Sequence, residues 1–549
     1  MRRKWEEPTR GSDYAAILVR TGVALRRAGV SESRKETYLE VARTNHTGAE
    51  APGLDAIPRL RIAPSSRQSA DGAEYGYAET ESGSRLAVFG PVGASGFGGF
   101  SGEVEAHGDS TLMLCELDAA AARALRQRLA HLRPQTLGLG ASAGLGDRLG
   151  LATRGHVRAV RAVGGSIAPI FAQQSIREMQ RTDRTPRQVL DDAMWGVFAE
   201  GWREPWGADA DHLKTTDDVD ACAREGYTFF TFDPGEHVAA APENSRTPAL
   251  RAPFEALPWD RLEDEAASLL RRYVGRPVEL EGAVLTPNEA AVVRAAVKYG
   301  RAVAHVVELY RRLEAAATAP FEVEVSVDET ERPTTHTEHV YIAGELARLG
   351  VRFVSLAPRY VGAFEKGVDY IGDVAEFEAD FAVHAAIARR FGPYKLSLHS
   401  GSDKFSVYEI AARQTCGVVH LKTAGTSFLE ALRTLAALDP GMLREVYAFA
   451  RERYETDRAS YHVSAELERA PEPDEVADAD APRLLEDSDS REILHVTFGS
   501  VLTARDDAGA PLFRDRLLAF LRTYPEEYAA CLERHFRRHL EPFAGYTGR

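Results

Sequence analysis

The chain has 549 residues, 44% hydrophobic and 27% charged, which is enough for several domains with large cores. Its formal net charge of −15 argues against broad binding to nucleic acids or to anionic membranes. The start MRRKWEEPTR lacks the apolar core of a signal peptide, no apolar run reaches ~18 residues, and no cysteines form a C-x-x-C pair, so a cytoplasmic protein with reduced thiols is expected.

Residues 1–135 predict a small N-terminal α/β region. Strand patterns at Arg85–Phe89 and Thr111–Glu116 precede a helical pattern at Asp118–Leu132. A glycine-rich stretch, residues 90–102, lies between the two predicted strands. Because no G-K-[ST] motif accompanies it, a flexible turn is favoured over a phosphate-binding loop.

Residues 136–437 alternate short apolar runs with amphipathic helical patterns, which is typical of βα units and a parallel sheet. Eight such units over about 300 residues favour a (β/α)8 barrel, an α/β fold, over an open sheet. We therefore expect an active site at the C-terminal ends of the strands. The predicted strands are 136–142, 163–172, 206–213, 227–233, 321–329, 351–357, 394–400 and 417–423.

The longest gap between predicted strands, about residues 240–318, predicts a helical insertion after the fourth strand. In its last helix, Thr286 is the expected N-cap, Pro287 suits the first helical position and Glu289 completes a capping box. Residues 438–549 predict a mostly helical C-terminal region, interrupted by an acidic, proline-containing stretch that suits a solvated linker or lid.

Polar residues mark the inward face of several predicted strands. In a parallel barrel the outward face must be apolar, because helices cover it. The fifth strand alternates Val323 and Val325 with Glu322 and Glu324, and such an inner face would be costly unless it served a site. The seventh and eighth strands repeat the pattern, and their inward residues are Lys395, Ser397, His399, His420 and Lys422.

Histidines near the C-terminal ends of the third, seventh and eighth strands indicate a metal centre. His212, His399 and His420 suit a divalent ion such as Zn²⁺, Mn²⁺, Co²⁺ or Ni²⁺. Asp211 and Glu324 are the candidate general acid and base, because a partly dry, charged pocket can tune the pKa of a carboxyl group. Rival or additional ligands are Glu324, Asp328, Glu329 and Glu365.

Two lysines on the inward face, Lys395 and Lys422, would be costly inside a barrel without an anionic partner. We interpret them, together with Arg148 and Gln173, as candidates for binding the carboxylate or hydroxyls of an acidic substrate. The alternative is that the lysines neutralise carboxylates of the barrel itself.

Seven ordered segments resemble the tagaturonate epimerase family. The resemblance covers roughly residues 135 to 545 and is weak or absent over residues 1–90. The segments are GLGDRLGLATRGHVRA (144–159), PIFAQQSIRE (169–178), GADADHLK (207–214), VEVSVDET (323–330), EKGVDYIGD (365–373), YKLSLHSGSDKFSVY (394–408) and HLKTAGTSFLEALR (420–433).

The resemblance implies interconversion of D-tagaturonate and D-fructuronate in hexuronate catabolism, with a divalent metal. It implies acid/base roles for Asp211 and Glu324 and metal ligation by His212 and His399; His420 is added as the third ligand on physical grounds. The two ketouronates differ at C4, counted from the hydroxymethyl end. The C4 hydrogen is β to the ketone and not acidic, so a retro-aldol cleavage and re-addition is expected.

Three other functions are consistent with the same residues. A class II-like metal-dependent aldolase or sugar isomerase would use the same barrel site. A Schiff-base enzyme would use Lys395 or Lys422 as its amine. A non-catalytic protein that binds sugar acids on a barrel scaffold is the third, since a fold does not determine a function. The sequence leaves open homo-oligomerisation and activity on fructose or tagatose.

Overall fold

A computed structural model describes residues 53–54, 57, 59–81, 83–164, 167–240, 247–461 and 463–546. The described residues do not include residues 1–52 of the predicted N-terminal region, residues 165–166 of the second predicted strand or residues 241–246 of the predicted insertion. The described chain forms two compact units. One unit comprises the residues up to Arg133 together with Met194–Arg203, and the other comprises Pro134–Ala193 and Glu204–Arg549.

The first unit is built on an antiparallel sheet. Its strands are β1 (Arg61–Ile62), β2 (Gln68–Ala70), β3 (Ala73–Thr80), β4 (Gly83–Pro91), β5 (Glu103–His107) and β6 (Ser110–Cys115). They pair in the order β1-β3-β4-β6-β5, with β2 beside β3. The strand patterns at 85–89 and 111–116 fall on β4 and β6. Helix α1 (Ala119–Arg128) begins where the Asp118 carboxylate accepts a 2.7 Å hydrogen bond from the Ala121 amide.

The second unit contains a closed parallel barrel, which confirms the predicted fold class. Eight strands pair in the order β7-β8-β9-β10-β13-β14-β15-β16 and return to β7, while β11 and β12 form a separate hairpin. The strands are β7 (Ser142–Gly144), β8 (Ala168–Ser175), β9 (Gly207–Leu213), β10 (Phe229–Phe232), β11 (Val278–Leu280), β12 (Ala283–Leu285), β13 (Glu322–Val327), β14 (Ser355–Pro358), β15 (Lys395–Leu398) and β16 (Val419–Lys422).

Helices follow the barrel strands and continue through the C-terminal region. In chain order they are α2 (Thr153–Ala162), α3 (Ile176–Arg181), α4 (Pro186–Ala199), α5 (Thr216–Glu225), α6 (Thr247–Glu255), α7 (Ala266–Tyr273), α8 (Glu289–Ala316), α9 (His336–Arg348), α10 (Val374–Phe391), α11 (Tyr408–Thr415), α12 (Thr426–Leu438), α13 (Pro440–Asp457), α14 (Ser488–Val496), α15 (Phe498–Thr503), α16 (Arg514–Thr523) and α17 (Pro525–Leu540). Among the described residues, no helix is both long and apolar enough to cross a membrane.

The first barrel strand begins later than predicted. Residues 136–141 were expected in the strand, but β7 starts at Ser142. The Leu137 and Gly138 amides donate to the Glu322 carboxylate at 3.0 and 2.6 Å. Because a side chain takes these donors, this stretch forms no ladder with a neighbouring strand and instead binds the start of β13.

The insertion helix α8 also begins later than predicted. Thr286 was expected as its N-cap, but the Asn288 side chain accepts a 2.9 Å hydrogen bond from the Ala291 amide. Pro287 therefore precedes the helix. The buried face of α8 includes Val292 and Val303.

Candidate active site

A bulge near the end of β9 turns two consecutive side chains toward the same place. Ala210 pairs with Phe230 on β10, but Leu213 pairs with Phe232, so β9 has one extra residue there. Within the bulge, His212 has a left-handed φ of 53°. Regular alternation would send Asp211 and His212 to opposite faces of the sheet, and the bulge brings both toward the barrel interior.

His212, Asp211 and His399 form one cluster at the C-terminal ends of β9 and β15. Nε2 of His399 lies 2.8 Å from Nε2 of His212 and 3.5 Å from Oδ1 of Asp211. One ligand atom from each residue lies within 4.8 Å of the other two. Nδ1 of His212 lies 3.1 Å from Oδ2 of Asp233, which fixes the ring with Nε2 toward the centre.

The surroundings of His212 favour positive charge. Burial alone would lower the pKa of His212, but the charge of Asp211 and the hydrogen bond with Asp233 outweigh burial and raise the pKa to about 10. The same negative surroundings favour a divalent cation between the two imidazoles.

Lys422 lies below this cluster and is surrounded by carboxylates. Its ammonium lies 2.8 Å from Asp209, 2.8 Å from Asp211 and 3.0 Å from Glu324. It also donates a 2.6 Å hydrogen bond to the Thr231 hydroxyl. Burial would lower the pKa of Lys422, but these carboxylates outweigh burial and raise it. Three buried carboxylates around one lysine leave a surplus of negative charge.

The carboxylates of the cluster differ in their affinity for protons. Burial, reinforced by the charges of Asp211 and Glu324 and opposed by Lys422, raises the pKa of Asp209 to about 7. Burial also acts on Glu324, but Lys422 and His399 outweigh it and hold the pKa of Glu324 well below its usual range. Ser355 donates a 2.5 Å hydrogen bond to Glu324. Glu324 is therefore ionised, whereas Asp209 titrates near neutrality.

The structure places His420 and Lys395 in a deeper layer of the barrel. Nδ1 of His420 lies 2.8 Å from the Ser142 hydroxyl, and Lys395 donates a 2.8 Å hydrogen bond to the same hydroxyl. His420 precedes Lys422 by two residues on β16, about 7 Å along the strand. His420, the expected third ligand, is thus outside the His212–His399 cluster, whose third member is Asp211.

Arg148 has protein partners on every side. It contacts Glu178 at 2.6 Å, reaches the His495 carbonyl at 3.3 Å and lies 3.5 Å over the Phe498 ring. The structure therefore does not bring it to the cluster, contrary to the expected role in substrate binding. Gln173 does reach the cluster, because its amide donates a 3.0 Å hydrogen bond to Asp211.

A cavity of about 300 Å³ opens beside His399. Glu329 on its wall lies 4.0 Å from Nε2 of His212, and Lys366 donates a 3.0 Å hydrogen bond to Ser400. Other residues of the wall include Asp328, Arg359, Tyr360, Glu365 and Tyr461. Among the rival ligands, Glu329 lies close enough to His212 and Asp233 for the three described residues to share a metal ion. Glu365 instead accepts a hydrogen bond from the Ser464 hydroxyl.

Sequence reasoning missed Asp209, Asp233 and Lys366. Asp209 could have been found, because it precedes Asp211 by two residues and shares its face of β9. Asp233 was the last residue of the predicted fourth strand and directly follows β10, so its position at a strand end was a signal for it. Lys366 lies in a loop after β14 whose course the strand pattern does not indicate.

The second unit has the architecture of a (β/α)8 enzyme. It is a closed parallel barrel, and a buried cluster of histidines, carboxylates and a lysine lies at the C-terminal strand ends beside a cavity. The chain matches the model of the tagaturonate epimerase family over residues 76–543, and it belongs to that family. The resemblance inferred from the seven sequence segments is confirmed.

Individual relatives cover most of the chain. It is 42% identical over 475 residues to tagaturonate/fructuronate epimerase of Thermotoga maritima, which covers 86% of this chain and 95% of the relative. The native crystal structure of the fructuronate-tagaturonate epimerase UxaE from Cohnella laeviribosi is 37% identical, with a TM-score of 0.84, and the match covers 89% of this chain and 97% of that one. A glycerol complex of the same enzyme matches equally well.

Lys395→Met tests how much the burial of the charged Lys395 side chain destabilises the folded protein. Burial lowers the pKa of Lys395 from 10.5 to about 8, so between these values the unfolded state binds more protons and stability rises with pH. The variant lacks this rise. We expect its free energy of unfolding, relative to the original protein, to fall by about 3 kcal/mol across that window, measured by urea denaturation.

Lys214→Met is the control, because the pKa of Lys214 is raised despite partial burial, through Asp233 and Glu236. Its stabilising contribution is complete below the unfolded pKa, so the difference from the original protein stays flat up to pH ~10. If the difference in free energy of unfolding between Lys395→Met and the original protein is also independent of pH, burial of Lys395 does not destabilise the folded protein.

Proposed function

We propose that this protein is a metal-dependent epimerase that interconverts D-tagaturonate and D-fructuronate. The observation that carries the proposal is the Asp211–His212–His399 cluster, which lies beside ionised Glu324 and opens to a cavity with Lys366 on its wall. The names of the relatives from Thermotoga maritima and Cohnella laeviribosi support this substrate pair.

The cluster fits a divalent cation. Two Nε2 atoms face each other at 2.8 Å, and an Asp211 oxygen lies 3.5 Å from one of them. The surplus of buried carboxylate charge around Lys422 would be balanced by such an ion. Asp211, His212 and His399 would hold Zn²⁺, Mn²⁺, Co²⁺ or Ni²⁺, and the bound ion would polarise the C2 carbonyl of the substrate.

The reaction inverts C4, whose hydrogen is not acidic. In a retro-aldol route, a carboxylate takes the C4 hydroxyl proton, and the electrons of the C3–C4 bond move into an enediolate while C4 becomes an aldehyde. The aldehyde turns, the bond re-forms on its other face, and the carboxylate returns the proton. Glu324 is the proposed proton acceptor, because it is buried at the cluster beside His399 and ionised, whereas Asp211 would be held on the ion.

Lys366 is our candidate for the substrate carboxylate. The lysines inside the barrel are engaged elsewhere, Lys422 with three carboxylates and Lys395 with Ser142. Lys366 lies on the cavity wall with only the Ser400 hydroxyl as a described hydrogen-bond acceptor. The side-chain amide oxygen of Gln173 is buried and has no hydrogen-bond partner among the described residues, so it can accept a hydrogen bond from a substrate hydroxyl.

Metal removal is the first test. Protein treated with a chelator should lose interconversion of D-fructuronate and D-tagaturonate, followed by NMR, and regain it with at least one of Mn²⁺, Co²⁺, Ni²⁺ or Zn²⁺. In D₂O, C4 should keep its hydrogen while the substrate epimerises. Full activity of the stripped protein would refute metal dependence, deuterium at C4 would refute the retro-aldol route, and release of free three-carbon fragments would favour an aldolase.

Glu324→Gln tests the acid/base role. The substitution keeps the shape but removes the proton acceptor, so kcat should fall about 10²–10⁴-fold. Glu322→Gln is the matched control, since Glu322 is on the same strand but binds the Leu137 and Gly138 amides. The control should lower the thermal midpoint with little change in kcat. Equal kcat values for the two variants would exclude Glu324 as acid or base.

Lys366→Met tests carboxylate binding. Loss of a charge-assisted hydrogen bond should raise KM for both ketouronates about 10–100-fold, while Lys366→Arg should retain most of the affinity. Neutral ketohexoses lack the carboxylate, so any turnover of fructose or tagatose should be insensitive to the change. An unchanged KM for the ketouronates in Lys366→Met would place their carboxylate elsewhere.

A further inference from the structure

A second histidine–carboxylate cluster lies outside the barrel interior, on the outer helices α9 and α10. His336 is the first residue of α9, whose start is fixed by the capping box of Thr335 and Glu338. Asp380 and His384 are one turn apart on α10, so their side chains point the same way. One ligand atom from each of His336, Asp380 and His384 lies within 4.8 Å of the others.

The cluster contains buried polar atoms without side-chain hydrogen-bond partners. Nε2 of His336 lies 3.0 Å from Oδ1 of Asp380, and Nε2 of His384 lies 3.5 Å from Oδ2 of Asp380. Oδ2 of Asp380 and Nε2 of His384 make no side-chain hydrogen bond among the described residues; Asp380 and His384 also interact with the backbone of Val361 and of Thr334. The His384 side chain is 0% exposed. A cation in contact with both atoms would give each of them a further partner.

A chain of hydrogen bonds supports His384 from behind. Its Nδ1 lies 2.8 Å from Nδ1 of His339, whose Nε2 lies 2.8 Å from the Tyr394 hydroxyl. If His384 donates to His339 and His339 donates to Tyr394, Nε2 of His384 presents a lone pair toward Asp380. Histidines that ligate a metal likewise donate their other ring N–H, usually to a carboxylate, a backbone carbonyl or water.

We propose that His336, Asp380 and His384 form a second metal site, for a borderline-soft divalent ion such as Zn²⁺. Two imidazole nitrogens and one carboxylate oxygen are a donor set that suits this ion. The His336 side chain is 31% exposed, so an ion can reach the site from solvent.

The site would brace the barrel behind the cavity. The Tyr360 ring packs on His384 with 5.6 Å between ring centroids, and its hydroxyl donates a 3.2 Å hydrogen bond to the Ser397 carbonyl on β15. Tyr360 also forms part of the cavity wall. An ion joining α9 to α10 would therefore hold Tyr360 in place without contacting the substrate.

Zinc content after dialysis tests the proposal on the full chain. We expect the chelator-treated protein, re-equilibrated with buffered Zn²⁺, to bind one more equivalent than His336→Gln and one more than Asp380→Asn. His107→Gln, whose side chain is 27% exposed and lies in the N-terminal sheet, should bind as much as the original protein. Circular dichroism reports whether each variant is folded.

The comparison is repeated with His399→Asn, which disrupts the barrel cluster. In that background the outer site should still bind one equivalent, and Zn²⁺ should raise the thermal midpoint; adding His336→Gln should abolish both effects. If the barrel cluster binds no metal, the original protein should still hold one equivalent more than His336→Gln, so the two proposals fail separately. Equal zinc content with and without His336→Gln in both backgrounds overturns the outer site.

Discussion

The ammonium of Lys422 holds the interior of the barrel together. It is 1% exposed and reaches Asp209 and Asp211 on β9 and Glu324 on β13, so it joins strands on different sides of the barrel. A buried carboxylate without a cation costs several kcal/mol, and here three of them depend on the same lysine. Lys422 also holds Glu324 beside His399.

The bulge of β9 completes the arrangement at a cost in backbone energy. A left-handed non-glycine residue such as His212 costs of the order of 1 kcal/mol or more and persists where its surroundings determine it. Here the hydrogen bond with Asp233 and the contact with His399 provide those surroundings. The strain is therefore located at the residue that has to face inward directly after Asp211.

Strand alternation identified the correct face of the barrel but not the depth along it. Glu324, His399 and Lys422 were predicted inward and meet at the cluster. His420 and Lys395 follow the same alternation, yet they lie one layer deeper in the barrel. The alternation of side chains predicts which face of a strand a residue occupies, but not its height along the barrel axis. Height depends on where each strand enters the barrel, and strand ends are the least predictable feature of a sequence.

Other parts of the site depend on contacts between distant segments. Nothing near Arg148 in sequence indicates that Glu178 and Phe498 will enclose it, since those partners come from β8's following helix and the C-terminal region. The His212 bulge has no glycine or proline to announce it. The eight-unit pattern needed no such contacts, because alternation of strand and helix is a local property, and the fold class was predicted correctly on that basis.

The charges of the two histidine clusters indicate different uses for a bound ion. In the outer cluster one carboxylate accompanies two imidazoles, and a hydrogen-bonded histidine supports the ligand His384 from behind. In the barrel, Asp211 is shared between the histidines and Lys422, which already draws on its charge. An ion there would also lie beside the cavity next to His399, where it could polarise a substrate carbonyl. The outer donor set suits an ion that stabilises structure, whereas the barrel set suits one that takes part in chemistry.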